Sequence, residues 1–142
     1  MRRKSILLIE DNPDDEALTL RALRKHDLAN EVVVVRDGAE ALAFFYEATR
    51  AGDDQFPALV LLDLKLPKVD GLQVLKILRE DAHTRRLPVV VLSSSSEERD
   101  IVQSYELGAN SYVRKPVDFA EFSEAVRQLG VYWLGLNEPS PR

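Results

Sequence analysis

The chain has 142 residues, 45% of them hydrophobic and 30% charged, with 24 acids against 19 Lys and Arg for a formal net charge of −5. That profile is one soluble globular unit able to bury a core, and its acidic balance excludes a general binder of nucleic-acid backbones, which needs clustered cations. The absence of Cys and the presence of only two His, His26 and His83 in polar helix-end contexts, exclude disulfides, thiol chemistry and an ordinary zinc site.

The first residues, Arg2, Arg3 and Lys4, read as a solvated basic terminus. The apolar segment after MRRKS is too short for a secretory signal, and no run nears the ~18 residues that span a bilayer, so a cytoplasmic protein without membrane contact is expected. SILLIE (5–10) is the first apolar run of strand length. Asn12 before Pro13 then marks a helix start, as N-cap and first helical residue. Asp14, Asp15 and Glu16 are acids of a first turn, where they complement the helix dipole. Leu18, Ala22 and Leu23 carry the apolar face of that helix.

EVVVV (31–35) is the second strand, and Asp37 with Glu40 has capping-box spacing for a helix holding Ala41, Leu42 and Phe45. TRAGDDQFP (49–57) is the longest expected loop. ALVLLD (58–63) follows, then Asp70–Gly71 as a turn or cap before a helix with Leu72, Leu75 and Leu78. LPVVVLS (87–93) precedes a second box, Ser95 with Glu98, and a helix over Ile101, Val102 and Tyr105 that Gly108 ends. SYVRK (111–115) leads through Asp118 and Glu121 into a last helix marked by Phe119, Phe122, Val126, Leu129 and Trp133. The expected domain covers 1–136, with a frayed tail at 137–142.

The strands are rich in Val, Ile and Leu without alternation, as strands buried on both faces are. Five alternations of strand and helix predict an α/β doubly wound (βα)5 domain with a parallel five-stranded sheet. Ligands of such sheets sit beyond the carboxyl ends of the strands. That edge collects Glu10 and Asp11 from strand one, Asp63 from strand three, Ser93 from strand four and Lys115 from strand five. Clustered carboxylates repel, so a proton or a hard cation must neutralise them; oxygen ligands without His or Cys point to Mg2+ and to phosphoryl chemistry. A carboxylate can itself be the nucleophile, and Asp63 is the one best flanked by the other groups.

LLIEDN, LVLLDLKLPKVDG, PVVVLSSS and SYVRKP together resemble, in order and spacing, the receiver domain of bacterial two-component response regulators across residues 5–130. EDNPDD, LDLKLP, GANSYVRKPVD and the aromatic last helix are similar to the single-domain receivers associated with bacterial phytochrome kinases. The resemblance implies a flavodoxin-like sheet in order 2-1-3-4-5 and phosphoryl transfer to Asp63 from a sensor histidine kinase, in the narrower resemblance a bacterial phytochrome. It also implies Mg2+ held by Asp11, Asp63 and the backbone carbonyl of Lys65, with Glu10 acting directly or through water. Lys115 and Ser93 would bind the phosphoryl group, Ser94 would line the entrance, and Pro116 would follow a peptide that the family often holds cis. Tyr112 matches a switch aromatic, a role favoured by the resemblance over that of a merely half-buried strand aromatic. The readout would be the face of the fourth helix, fifth strand and fifth helix.

Tyr132, Trp133 and Leu134 are three large groups in succession at a helix end, which one core cannot absorb together; a homodimer interface is expected there. A Mg2+-dependent phosphatase with an aspartyl nucleophile is the alternative, but it would need a second acid two residues beyond Asp63, where Lys65 stands. A nucleotide- or flavin-binding module lacks its Gly-rich first turn. The protein is therefore expected to be no enzyme beyond its own phosphotransfer and autodephosphorylation.

Overall fold

A computed structural model describes residues 4–26, 31–52 and 55–141. Arg2 and Arg3 of the basic start, and Asp53 and Asp54 of the expected loop, lie outside the described residues. In chain order the elements are β1 (Ser5–Ile9), α1 (Pro13–Lys25), β2 (Glu31–Val35), α2 (Gly38–Ala51), β3 (Leu59–Leu62) and α3 (Gly71–Glu80). They continue with β4 (Val89–Ser93), α4 (Glu98–Glu106), β5 (Ser111–Arg114), α5 (Phe119–Gly130) and a π-helical turn, Val131–Leu136. All strand pairs are parallel, in the order β2-β1-β3-β4-β5, as the doubly wound reading expects.

Strand residues sort by parity onto two cores. Leu7, Ile9, Val60, Leu62, Val89 and Val91 pack with α2 and α3 through Phe45, Val74, Leu75 and Leu78. Ile6, Leu8, Leu59, Leu61, Val90 and Leu92 face α1 and α5 through Ala22, Leu23, Phe122 and Val126. Both parities are apolar because both faces are covered, which is why the strands read as unbroken hydrophobic runs.

The caps set where the helices begin. Asn12 accepts from the amides of Asp14 and Asp15, Asp37 from Glu40, Asp70 from Gln73 and Asp118 from Glu121. The expected Ser95–Glu98 box does not form. Glu97 is the N-cap without a side-chain bond, because Ser95 Oγ instead accepts from the Glu97 amide at 3.2 Å and donates to Asp100 at 2.6 Å. At the other end of α4, Gly108 at φ 101° closes a Schellman turn, its amide on the Tyr105 carbonyl and that of Ala109 on Ser104. The expected loop at 49–57 is shorter than its composition implies, since α2 runs to Ala51 and Thr49 Oγ1 donates to the Phe45 carbonyl.

Arg79, in the last turn of α3, is a structural hub. Its guanidinium donates to the carbonyls of Gly108, Arg85 and Leu87 and to Asn110 Oδ1. It thereby ties α3 to the loops that precede β4 and β5.

The C-terminal aromatics divide. The wider π turn carries Leu134 inward, where it is 6% exposed within the α1/α5 core. Leu134 is thus a core residue rather than part of an outer interface. Trp133 packs half-buried against the same core, and Tyr132 remains 49% exposed, edge-on to Trp133. Lys4 donates to the Leu134 carbonyl, so this basic residue clasps the turn to the start of β1 instead of standing free in solvent.

Candidate functional site

Three of the five strands deliver their next residue to one edge, and β4 delivers its last, Ser93. The amide of Glu10 donates to the Val35 carbonyl at 3.0 Å, that of Asp63 to Ile9 at 3.1 Å and that of Lys115 to Ser93 at 2.7 Å. Each chemical group is therefore the first residue beyond a strand end, its backbone still fixed by the sheet. Glu10, Asp11 and Asp63 each bring one carboxylate oxygen within 4.8 Å of the others. Octahedral ligands at ~2.1 Å from Mg2+ stand about 3 to 4 Å apart, so this donor set fits a small hard cation after slight closure.

Lys115 lies among the acids, its side chain 9% exposed. Its Nζ is 2.7 Å from Glu10 Oε1, 2.8 Å from Asp15 Oδ2 and 3.5 Å from Asp63 Oδ2. Asp15 is a member of the site that its place in a helical first turn concealed, while Asp14 is exposed and Glu16 turns away to Arg36 at 2.9 Å. Asp63 Oδ1 also accepts from the Lys65 amide at 3.2 Å, and the Lys65 residue is exposed. The Lys115–Pro116 peptide is trans rather than cis, with Pro116 still directing the chain from β5 toward α5.

The loop after Asp63 is drawn in tightly. Lys68 has φ 68°, and the Val69 amide donates to the Pro67 carbonyl at 2.9 Å, which makes a γ-turn. Gly71 opens α3 directly under this loop. A Cβ there would stand 2.3 Å from the Asp63 carbonyl oxygen and 2.6 Å from Leu64 Cα.

Ser93 is 1% exposed, and its Oγ accepts from the Ser95 amide at 3.1 Å. Ser94 is exposed beside it at the rim. Tyr112 is held at both ends: its hydroxyl donates to the Ser95 carbonyl at 2.9 Å, and its amide donates to the Tyr105 hydroxyl at 3.1 Å. Ser95 therefore joins the site hydroxyl to the outer face. Of the two His, His26 caps α1 and meets Ser123 Oγ of α5 at 2.9 Å. His83 remains exposed beside Asp81.

Burial first, then the Asp63 carboxylate, raise the Glu10 pKa from 4.5 to about 8 against the pull of Lys115. For Lys115, burial works downward, but hydrogen bonds to Asp15 and Glu10 and the charge of Asp63 outweigh it and hold the ammonium well above its usual range. Glu10 thus keeps a proton in the folded chain that it loses in the unfolded one. Its contribution to stability is complete below its ordinary pKa and is lost as pH rises through about 8. Metal-free protein is expected to unfold more easily at about pH 9 than at about pH 6, by on the order of a few kcal/mol. Glu10→Gln should flatten that slope in urea titrations; an equally steep slope in the variant would place the titrating group elsewhere.

A doubly wound sheet that gathers an acid cluster, a hydroxyl and a lysine at its carboxyl edge is the receiver architecture. Residues 6–127 match the family model of the response regulator receiver domain, and the chain belongs to that family. Its relatives include Response regulator Rcp1 of Synechocystis sp., 37% identical over 131 residues, which span 92% of this chain and 89% of the relative. The Mn2+-bound crystal structure of Rcp1 agrees with a TM-score of 0.86 over 97% of this chain and 99% of the other, at 34% identity. The phosphorylated cyanobacterial phytochrome response regulator RcpA gives 0.88 at 39% identity, over 98% and 99% of the two chains. The bacteriophytochrome response regulator AtBRR is 56% identical over 97% of this chain and 100% of its own, with a TM-score of 0.75. The resemblance to phytochrome-associated receivers drawn from EDNPDD and GANSYVRKPVD is borne out by these relatives.

Proposed function

We propose that this chain is a single-domain response regulator that takes a phosphoryl group onto Asp63 from a phosphohistidine of a sensor kinase of the phytochrome type. The observation that carries the reading is the convergence on Asp63 of Lys115 at 3.5 Å and of the carboxylates of Glu10 and Asp11 within 4.8 Å. The Mn2+-bound form of Rcp1 and the phosphorylated phytochrome response regulator RcpA support it.

An Asp63 carboxylate oxygen attacks phosphorus, the P–N bond breaks, and its electron pair stays on the imidazole nitrogen, which takes a proton from solvent. Bound Mg2+, held by Asp11, Asp63, the Lys65 carbonyl and Glu10, would neutralise charge on the acids and the transferred group. Lys115 supplies the second positive charge to a phosphoryl oxygen. Ser93 leaves its bond with the Ser95 amide to donate to the new group, which carries about −1.5 to −2 charge. Ser95 then no longer holds the Tyr112 hydroxyl in place, and the face of α4, β5 and α5 changes for a downstream partner. Among the described residues no helix is long and apolar enough to cross a membrane, and we place the protein in the cytoplasm with the kinase's catalytic part.

The test is incubation with a small acyl-phosphate donor: the mass should rise by one phosphoryl group with Mg2+ and stay unchanged with a chelator. Uptake without metal would overturn the reading.

A homodimer built on the C-terminal turn is part of the same proposal. Val131, Tyr132 and Leu136 are 41%, 49% and 73% exposed, and half-buried Trp133 backs them. Sedimentation should show a dimer at tens of micromolar for the wild type and a monomer for Tyr132→Ala with Leu136→Ala. A wild-type monomer at that concentration would refute the interface.

A further inference from the structure

We infer that Asp15 is a positioning residue for Lys115, holding the ammonium back from Asp63 and so weakening the grip on a phosphoryl group. The inference rests on the reading of Asp63 as the acceptor. Three elements supply the acids that face Lys115: Glu10 after β1, Asp15 in the first turn of α1 and Asp63 after β3. Only the first two are within hydrogen-bonding distance, at 2.7 and 2.8 Å, while Asp63 stands at 3.5 Å. The ammonium therefore spends its donors on the α1 side of the pocket.

When Glu10 turns to a cation, Asp15 remains the one carboxylate at hydrogen-bond distance from Lys115. Its side chain is 36% exposed against 9% for Lys115, so the pair is partly desolvated and exceeds an exposed ion pair in strength. A phosphoryl oxygen at Asp63 must win the ammonium from this competitor. The pairing also links the first turn of α1, fixed by the Asn12 cap, to the occupancy of the site.

Fluoroberyllate, a stable mimic of the phosphoryl group, makes the competition measurable by calorimetry or fluorine resonance at saturating Mg2+. Asp15→Asn should tighten its binding about tenfold. Asp14→Asn, which removes the same charge from an exposed neighbour that has no ion pair with Lys115 among the described residues, should change it less than about twofold. In the Lys115→Ala background the effect of Asp15→Asn should vanish. Mg2+ affinity reads the same cycle independently in all four variants. Asp15→Asn should lower it about fivefold with Lys115 present, as the freed ammonium moves toward Asp63, and leave it nearly unchanged with Lys115 removed. Equal effects of the two Asp substitutions, or an effect that survives loss of Lys115, would overturn the role of Asp15. Failure of the wild type to bind fluoroberyllate would overturn the Asp63 reading and this inference with it.

Discussion

Asp63→Asn is expected to take up no phosphoryl group from an acyl-phosphate donor under conditions where the wild type is labelled to completion, a loss beyond detection by intact mass. An amide nitrogen cannot replace the attacking carboxylate oxygen, and the neighbouring acids cannot substitute. Glu10 is 1% exposed and tied to Lys115 at 2.7 Å, while Asp11 lacks the flanking ammonium. The same variant should be more stable than the wild type without metal, by on the order of 1 kcal/mol, because it removes a carboxylate crowded against Glu10 and Asp11. Lys115 keeps Glu10 and Asp15. Labelling that persists would move the acceptor to another residue, and a marked loss of stability would show that the Lys65 amide bond to Asp63 Oδ1 carries more of the loop than the repulsion costs.

Gly71→Ala is expected to destabilise the fold by about 2 to 4 kcal/mol and to weaken Mg2+ binding together with it. The added methyl has no room, with the Asp63 carbonyl at 2.3 Å and Leu64 Cα at 2.6 Å. These are backbone atoms of the segment that presents Asp63 and the Lys65 carbonyl, so relief comes only by moving the loop or the start of α3. Urea unfolding with and without Mg2+ measures both effects. Gly135→Ala is the control, since a Cβ there meets nothing within 4 Å and should change stability by less than about 0.5 kcal/mol. Similar losses for the two variants would mean that glycine matters at position 71 for some reason other than the close approach.

The sheet and most of the site were legible because they rest on short-range patterns. SILLIE and ALVLLD are apolar at both parities, and both parities found a core. Glu10, Asp63, Ser93 and Lys115 were found because strand ends of a parallel sheet meet at one edge whatever the loops do. Asp15 was not, because an acid in a first turn already has a local reason to be there; its partner is 100 residues away and depends on how α1 is rotated over the sheet. Arg79 was hidden in the same manner: a basic residue in the last turn of a helix is ordinary, and only the folded chain brings four carbonyl-type oxygens around it. Ser95 carried a capping signal that its neighbours overrode, since Ser93 and Tyr112 hold its backbone and Glu97 takes the N-cap position instead. The run Tyr132 to Leu134 read as more bulk than one core could absorb, and the structure divides it, with Leu134 in the core, Trp133 half-buried and Tyr132 exposed.

The two ends of α4 are not fastened alike. At Gly108 the Schellman turn and the Arg79 guanidinium clamp the helix to α3 and to the loop before β4. At Glu97 there is no side-chain cap, and the first turn is held to the preceding loop through Ser95, whose Oγ donates to Asp100 and accepts from the Glu97 amide. A rod nine residues long, about 13 Å at 1.5 Å per residue, pinned at one end behaves as a lever. Under the proposed function a shift of Ser95 should swing α4 about Gly108 rather than slide it along its axis. Its travel is greatest at Glu98 and Arg99 and nearly zero at Tyr105, so a partner that reads phosphorylation through this helix gains most by gripping its first turn.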